Sequence, residues 1–258
     1  MELLLLIAGL GLVTGFISGL VGIGGGIVMA PLLLYVPPFF GFEPIPMRVV
    51  AGLTIVQGLI ACIAGGLTHR KFHFMSDRLS VTMGVSIFVT ALIGGAGAQY
   101  VSNEILLGIF ASLAILAALL ILVPLKNDSE QPDLTSFTFH RSRAIIAASS
   151  VGLLGGLVGQ GGSFILIPLM TSYVRIPTRI AIGSNLAIVF LSSLAGFLGK
   201  AVTGQIEWLL ALPILLTVTP AAIAGGHVSR HASILTLRRL LALLIGVAAI
   251  RMWITVLC

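Results

Sequence analysis

Long apolar stretches that are almost free of charge fill most of this 258-residue chain. Eight can be counted, at residues 3–36, 49–68, 79–101, 105–125, 144–174, 180–199, 208–229 and 240–257. Lipid offers no hydrogen bonds to the backbone, so each stretch is predicted to be helical. The alternation of polar and apolar residues that a transmembrane β-barrel needs is missing. The sequence therefore predicts an all-α, polytopic helical membrane protein.

The charges support the same class of protein. Only 9% of the residues are charged, against about a quarter in soluble domains. The net charge is +6, but the basic residues are scattered among short loops and do not form a nucleic-acid-binding patch. We interpret them as markers of cytoplasmic loops, with the lipid bilayer as a partner and no nucleic acid. The N-terminal MELLLLIAGLG lacks a basic region and is expected to be retained rather than cleaved.

The two halves of the chain repeat each other. The segment GFISGLVGIGGGIVMAPL at 15–32 matches GLLGGLVGQGGSFILIPL at 152–169 with a constant offset of 137 residues. Pro46-Met47-Arg48 matches Pro177-Thr178-Arg179 at an offset of 131, because the first half has a longer loop. We predict two homologous four-segment repeats at 1–125 and 144–258, joined by a cytoplasmic linker at 126–143.

The first segment of each half is too long for one straight span. Residues 3–36 would measure roughly 50 Å as a helix, whereas the hydrocarbon core is about 30 Å thick. A glycine cluster lies near the middle, so we expect a break there. The break gives either a re-entrant hairpin, with three crossings per half and inverted repeats, or a full span and a shorter helix, with parallel repeats.

Loop charges favour the inverted arrangement. The loop from His69 to Arg78 contains three basic residues and should be cytoplasmic, as should the linker two crossings later. In the second half the basic residues occur at Arg175, Arg179, Arg230, Arg238 and Arg239. Inverted repeats place all of these inside, and both termini outside.

The two glycine clusters are the first candidate site. Neither follows a strand or continues into a phosphate-binding Lys-Ser or Lys-Thr, so a nucleotide loop is rejected, and Gly199-Lys200 is rejected with it. The upstream Gly11, Gly15, Gly19, Gly152 and Gly156 are predicted to serve helix packing. A broken helix instead leaves free N–H groups and a positive helix end, which favour an anion. The cluster residues are Gly22, Gly24, Gly25, Gly26, Gly159, Gln160, Gly161, Gly162 and Ser163.

A few polar residues in the apolar segments complete the predicted substrate-binding site. Asn185 lies eight residues after Pro177, about 12 Å along a helix, where an amide needs a partner or a solute. An interhelical hydrogen bond is the alternative role for this residue. The other candidates are Ser184, Thr54 and Gln57, with Arg48 and Arg179 as basic residues that attract anions or anchor the helix at the interface. Ser192-Ser193 is assigned to packing.

The sequence contains no constellation for catalysis or for a metal. Every Asp and Glu maps to a terminus, a loop or a segment end, which argues against a proton relay or a cation cage. No HExxH, GxSxG or paired intramembrane carboxylates occur, and no histidine has metal-ligand spacing. Cys62 and Cys258 suggest neither a disulfide framework nor a metal site. We therefore expect no enzyme activity, no cofactor and no metal.

The paired motifs GLVGIGGGIVMAPLLL and GLVGQGGSFILIPL, each followed by a Pro-x-Arg helix, resemble the TauE/SafE family of sulfite and organosulfonate exporters. The segment AIGSNLAIVFLSSLAGFLGK adds to this resemblance, which covers the whole chain. It implies a multi-pass permease of the inner membrane, with glycine-rich turns at 22–26 and 159–163 and a polar helix start at 183–185. In the first half Leu53-Thr54 replaces the Ser-Asn pair, so the two halves do not offer the same ligands.

Together these features predict a transporter that exports a small inorganic or organosulfonate anion such as sulfite or sulfoacetate. A permease for another small anion and a non-transporting membrane assembly protein are the alternatives. The sequence leaves the coupling ion and the oligomeric state open, a homodimer included.

The Asn185→Leu substitution tests the predicted role of the amide. If Asn185 binds the solute, sulfite efflux from loaded proteoliposomes should be abolished while the protein still folds. Unchanged flux would remove Asn185 from the site.

Overall fold

Ten α-helices and no strand occur in the part of the chain that the computed structural model describes, residues 1–21, 26–68, 76–122, 138–228 and 245–255. The predicted all-α class is confirmed. A 3-10 turn, Ala98–Tyr100, extends the fourth helix. The helices are α1 (Glu2–Val21), α2 (Gly26–Phe39), α3 (Met47–Thr68), α4 (Asp77–Gly97), α5 (Asn103–Leu122), α6 (Arg141–Val158), α7 (Ser163–Ser172), α8 (Thr178–Val202), α9 (Trp208–Val228) and α10 (Ile245–Thr255).

Six of these helices are long and apolar enough to cross a bilayer, namely α1, α4, α5, α6, α8 and α9. Their outward faces are apolar as well. On α4, the side chains of Val81, Val85 and Val89 are at least half exposed and recur every four residues, so they form one stripe. Such a stripe suits contact with lipid rather than water. The protein is a multi-pass membrane protein.

In the second half the first apolar segment contains two helices, as the length argument predicts. In the second half α6 ends at Val158 and α7 begins at Ser163. In the first half α1 ends at Val21 and α2 begins at Gly26, while residues 22–25 lie outside the described part. The second helices have 14 and 10 residues, about 21 and 15 Å, too short to span a core of about 30 Å.

The predicted linker is only partly described. Residues 123–137 lie outside the described part, and α6 already begins at Arg141, inside the 126–143 range expected for the loop. The second half therefore starts with a helix that is about one turn longer than its apolar stretch.

Glycines hold α1 tightly against α9. Gly15 lies on the backbone of Val218 and Gly19 on the backbone of Ala222, so that a Cβ atom at either glycine would overlap main-chain atoms. The predicted packing role of these glycines is confirmed. Small residues allow this approach, which supplies dispersion contacts where lipid removes the hydrophobic driving force between helices.

The pair α6 and α4 packs in the same way. Gly152 lies on Ile87, and Gly156 lies on Ala91. At the offset of 137, Gly152 and Gly156 correspond to Gly15 and Gly19. At the offset of 131, Ile87 and Ala91 correspond to Val218 and Ala222. The first helix of each half is therefore clamped to the α4-type helix of the other half, and the two halves are interlocked.

The contacts also fix the relative directions of the helices in the second half. The pairs Ile87–Gly152 and Ala91–Gly156 make α4 parallel to α6. The pairs Gly84–Leu191 and Leu92–Gly199 make α4 parallel to α8. Because α6 and α8 therefore run in the same direction, the chain between them turns back through α7. This is the hairpin path considered for the second half.

Replacing Gly19 with Leu should separate α1 from α9. The new side chain would overlap the Ala222 backbone, and overpacking of this kind costs about 1–3 kcal/mol or more. We expect a lower melting temperature of the detergent-purified protein in a fluorescence-based unfolding assay. Gly9→Leu on the same helix is the matched control, because nothing lies within 4 Å of that position. Equal melting temperatures for the two variants would contradict the clamp.

Candidate functional site

The turn between α6 and α7 is built from glycine. Gly159, Gly161 and Gly162 have φ angles of 74°, 61° and 73°, in the left-handed region that other residues avoid. Gly159 caps α6 by donating its N–H to Gly155 and Gly156, and the Gln160 N–H donates to the Gly155 carbonyl at 2.8 Å. The helix therefore ends cleanly, and the chain reverses within four residues, 159–162.

Two backbone donors of this turn remain free. The N–H groups of Gly161 and Gly162 donate to no acceptor among the described residues. They lie immediately before α7, whose N-terminus adds a partial positive charge. Successive free amides in left-handed and turn conformations form a concavity that suits an anion. The turn therefore offers the electropositive backbone that the glycine cluster predicts.

The two predicted glycine clusters meet at Gln160. Its side-chain Nε2 donates to the carbonyl of Gly26 at 2.9 Å, and Gln160 is only 4% exposed. Gly26 is the first residue of α2, so this hydrogen bond joins the glycine turn of the second half to the start of α2 in the first half.

Helices α3 and α8 cross beside the turn. They run in opposite directions, since Ile55 lies against Gly196 and Gly58 lies against Ser193. Gly161 contacts the Ser193 hydroxyl, so a Cβ atom at Gly161 would overlap it. The crossing therefore forms the wall that faces the turn.

Polar side chains near this crossing lack partners. Gln57 is 0% exposed, and neither its amide nitrogen nor its amide oxygen makes a hydrogen bond to a described residue. The Ser192 hydroxyl is also buried without a partner, and the Ser193 hydroxyl is buried beside the Cys62 thiol; the sequence assigned both serines to packing. Leaving such groups unpaired costs about 1–3 kcal/mol each, so a polar partner at this position would be favourable.

Ser184 and Asn185 lie away from the turn. Asn185 precedes Ser193 by eight residues, about 12 Å along α8. The Ser184 hydroxyl accepts a hydrogen bond from the Ser76 backbone N–H at 3.2 Å, and Oδ1 of Asn185 has no partner among the described residues. The predicted site residues therefore fall into two levels of the bundle.

The remaining predicted residues either bond to nearby backbone groups or lie outside the described part of the chain. The Thr54 hydroxyl donates back to the Val50 carbonyl at 3.0 Å within α3. Arg48 donates from Nη2 to the Val101 carbonyl at 3.0 Å, while its buried Nε has no partner. The positions outside the described part are Gly22, Gly24 and Gly25, together with the side chains of Ser163 and Arg179.

Sequence reasoning overlooked Lys200. Its side chain is 0% exposed, and Nζ donates to the Leu157 carbonyl at 3.1 Å and to Oε1 of Gln205 at 3.4 Å. Leu157 stands two residues before the glycine turn. A lysine at the end of an apolar segment usually lies in a loop at the membrane interface, which is why its burial was not predicted. The one sequence signal for a special role was a single charge next to a long uncharged segment.

A family model described as sulfite exporter TauE/SafE matches residues 7–252 of the chain. The chain belongs to the TauE/SafE family. It is therefore a membrane transporter, and not an enzyme.

Curated relatives of this TauE/SafE protein are similar along nearly their whole length. "Probable membrane transporter protein YunE" of Bacillus subtilis is 27% identical, over 92% of this chain and 93% of the relative. A "Probable membrane transporter protein" of Haemophilus influenzae is 26% identical, over 95% and 96%. Another from Methanocaldococcus jannaschii is 24% identical, over 94% and 92%. No solved structure matches the chain.

The contact of Gly161 with Ser193 is testable by a double-mutant cycle. Gly161→Ala should destabilise the protein, both through overlap with the Ser193 hydroxyl and through strain at positive φ. Adding Ser193→Ala should recover part of the lost melting temperature, because only the overlap is relieved. Strictly additive effects of the two substitutions would show that the turn does not pack against α8 at this point.

Proposed function

We propose that this TauE/SafE protein exports small sulfur-containing anions, such as sulfite, sulfoacetate or related organosulfonates, across the inner membrane of the cell. The observation that carries the proposal is the pair of free amides at Gly161 and Gly162 next to buried polar side chains without partners. No Asp or Glu is buried in the described part of the chain, so nothing acidic there opposes an anion.

The donors match the chemistry of a sulfur oxyanion. Sulfite and sulfonates present three oxygen atoms that accept hydrogen bonds around one sulfur. The site offers neutral hydrogen-bond donors that are already held in place. They are the turn amides, the Ser193 hydroxyl beside Gly161 and the side-chain amide of Gln57. An anion would satisfy these donors, whereas a metal cation would satisfy none of them.

We infer that the two halves are inverted repeats that rock about this region. The parallel course of α6 and α8 supports a hairpin in the second half, and the matched clamps at Gly15 and Gly152 support an equivalent one in the first. This arrangement gives three crossings per half, both termini outside and a cytoplasmic linker. Ser184 and Asn185 then line the route from the start of α8 toward the glycine turn.

Transport through this site requires helix movement. Gln57 and Ser193 are 0% and 1% exposed, so the site is closed to both sides of the membrane in this conformation. Opening toward one side at a time is the mechanism expected of broken helices at a repeat interface. With the cell interior negative, each expelled anionic charge gains about 2.3 kcal/mol per 100 mV, so export does not need a coupling ion.

Gln57→Leu separates a binding role from a structural one. Leucine has a similar size and removes two buried polar atoms without partners, so the melting temperature should stay the same or rise. If Gln57 contacts the anion, efflux of radiolabelled sulfite or sulfoacetate from proteoliposomes should fall at least tenfold. A stable Gln57→Leu protein with full flux would remove Gln57 from the site.

Ser112→Ala is the matched control, because this exposed serine bonds only to its own helix and should keep normal flux. A counterflow panel with sulfite, sulfoacetate, phosphate, nitrate and chloride then identifies the cargo. Preferential exchange of the sulfur anions is expected. Exchange of other anions only would make the protein a permease for a different small anion.

A further inference from the structure

Lys200 is the one fully buried basic side chain in the described part of the chain. It is the third residue from the end of α8, where the helix passes the end of α6. Seven residues separate it from Ser193, about 10 Å along the helix. The ammonium group therefore lies beyond the glycine turn, on the side of the bundle where α8 ends and α3 begins.

Other polar groups hold this lysine in place. The Leu157 carbonyl and Oε1 of Gln205 accept two of its three protons. Gln205 is itself fixed, since its Nε2 donates to the Gly95 carbonyl at 2.9 Å and to the Thr203 hydroxyl at 2.6 Å. One ammonium proton remains without an acceptor among the described residues. The charge is thus positioned but not neutralised.

A second cation stands close to the first. Arg48 lies at the start of α3, one helical turn before Gly52, and Gly52 lies against the backbone of Gln205, whose side chain accepts a hydrogen bond from Lys200. Arg48 is fixed through Nη2 to the Val101 carbonyl and through its backbone N–H to Oδ1 of Asn103 at 3.0 Å. Its Nε, which is buried, has no partner among the described residues. Both cations therefore keep a free N–H donor.

Neither cation makes an ion pair within the described part of the chain. Glu207 and Glu104, the carboxylates nearest to them in the sequence, are exposed at the starts of α9 and α5. Two like charges with no counter-charge, one of them buried, are unfavourable in a low dielectric. A bound anion would favour the charged form of Lys200 and offset the repulsion between the two cations.

We propose that Lys200 and Arg48 form an anion-binding site for a small oxyanion, which binds there as it enters or leaves the glycine turn. The free proton of the Lys200 ammonium and the Arg48 Nε–H would each donate to one of its oxygens. This inference rests on the proposed function, because it makes the pair the charged part of the same export route. It predicts that Lys200 sets the affinity for the anion rather than the fold.

Lys200→Met is the decisive variant, because it keeps the length of the side chain and removes the charge. We expect the half-saturating sulfite concentration for efflux from proteoliposomes to rise at least tenfold. Sulfoacetate should raise the melting temperature of the wild-type protein in detergent, and this shift should be lost in Lys200→Met. Lys200→Arg, which restores the charge, should recover most of both effects.

Arg78→Met is the control, because it removes the same unit of charge from an exposed position at the start of α4. It should leave the half-saturating concentration and the sulfoacetate shift unchanged. Wild-type half-saturation and an intact shift in Lys200→Met would overturn the proposed site. If the wild-type protein moves no anion but its shift still depends on Lys200, the site stands and the export proposal fails. The absence of any shift in a wild-type protein that moves no anion would overturn both.

Discussion

The fold depends on the absence of water in the hydrocarbon core, because the protein must then supply hydrogen-bond partners for its own backbone N–H and C=O groups. A helix can be interrupted at that depth only where other protein groups or a solute replace the lost hydrogen bonds. The α6–α7 turn meets most of this demand locally, through bonds from Gly159 and Gln160 back to Gly155 and Gly156. The side chain of Gln160 donates a hydrogen bond to the backbone carbonyl of Gly26 in the other half. The free amides of Gly161 and Gly162 are what remains, and they define the chemistry of the proposed site.

The interlocking of the two halves explains why the glycine turn of the second half meets the start of α2 in the first. Each first helix is clamped by glycines to a helix of the opposite half, with Gly15 against Val218 and Gly152 against Ile87. A helix held in this way delivers its broken end to the interface between the halves rather than to the lipid. The same close packing leaves Gln57 and Ser193 fully enclosed, so the proposed transport requires the halves to move. Packing, burial and the proposed alternating access thus follow from one arrangement.

The sequence was sufficient for the helices, the broken first segment of the second half and the packing glycines, because span length, glycine clustering and small-residue spacing are local properties. It was insufficient for contacts that join distant parts of the chain. Nothing near Gln160 indicates that its side chain reaches Gly26, which lies 134 residues away. The enclosure of Lys200 depends on Leu157 and Gln205, and the burial of Ser193 depends on how α3 crosses α8. Local pattern likewise could not reveal that Asn185 lies about 12 Å from Ser193 along α8.

The central claim is that an anion binds where the two broken helices meet. The most direct measurement is a crystal structure of the full chain with selenite in place of sulfite, because selenium can be located by its anomalous scattering. The account predicts an interrupted α6–α7 segment with a selenium peak whose oxygens are within hydrogen-bonding distance of the Gly161 and Gly162 amides. A continuous helix through residues 159–162, or selenite bound only at a distant position, would contradict it.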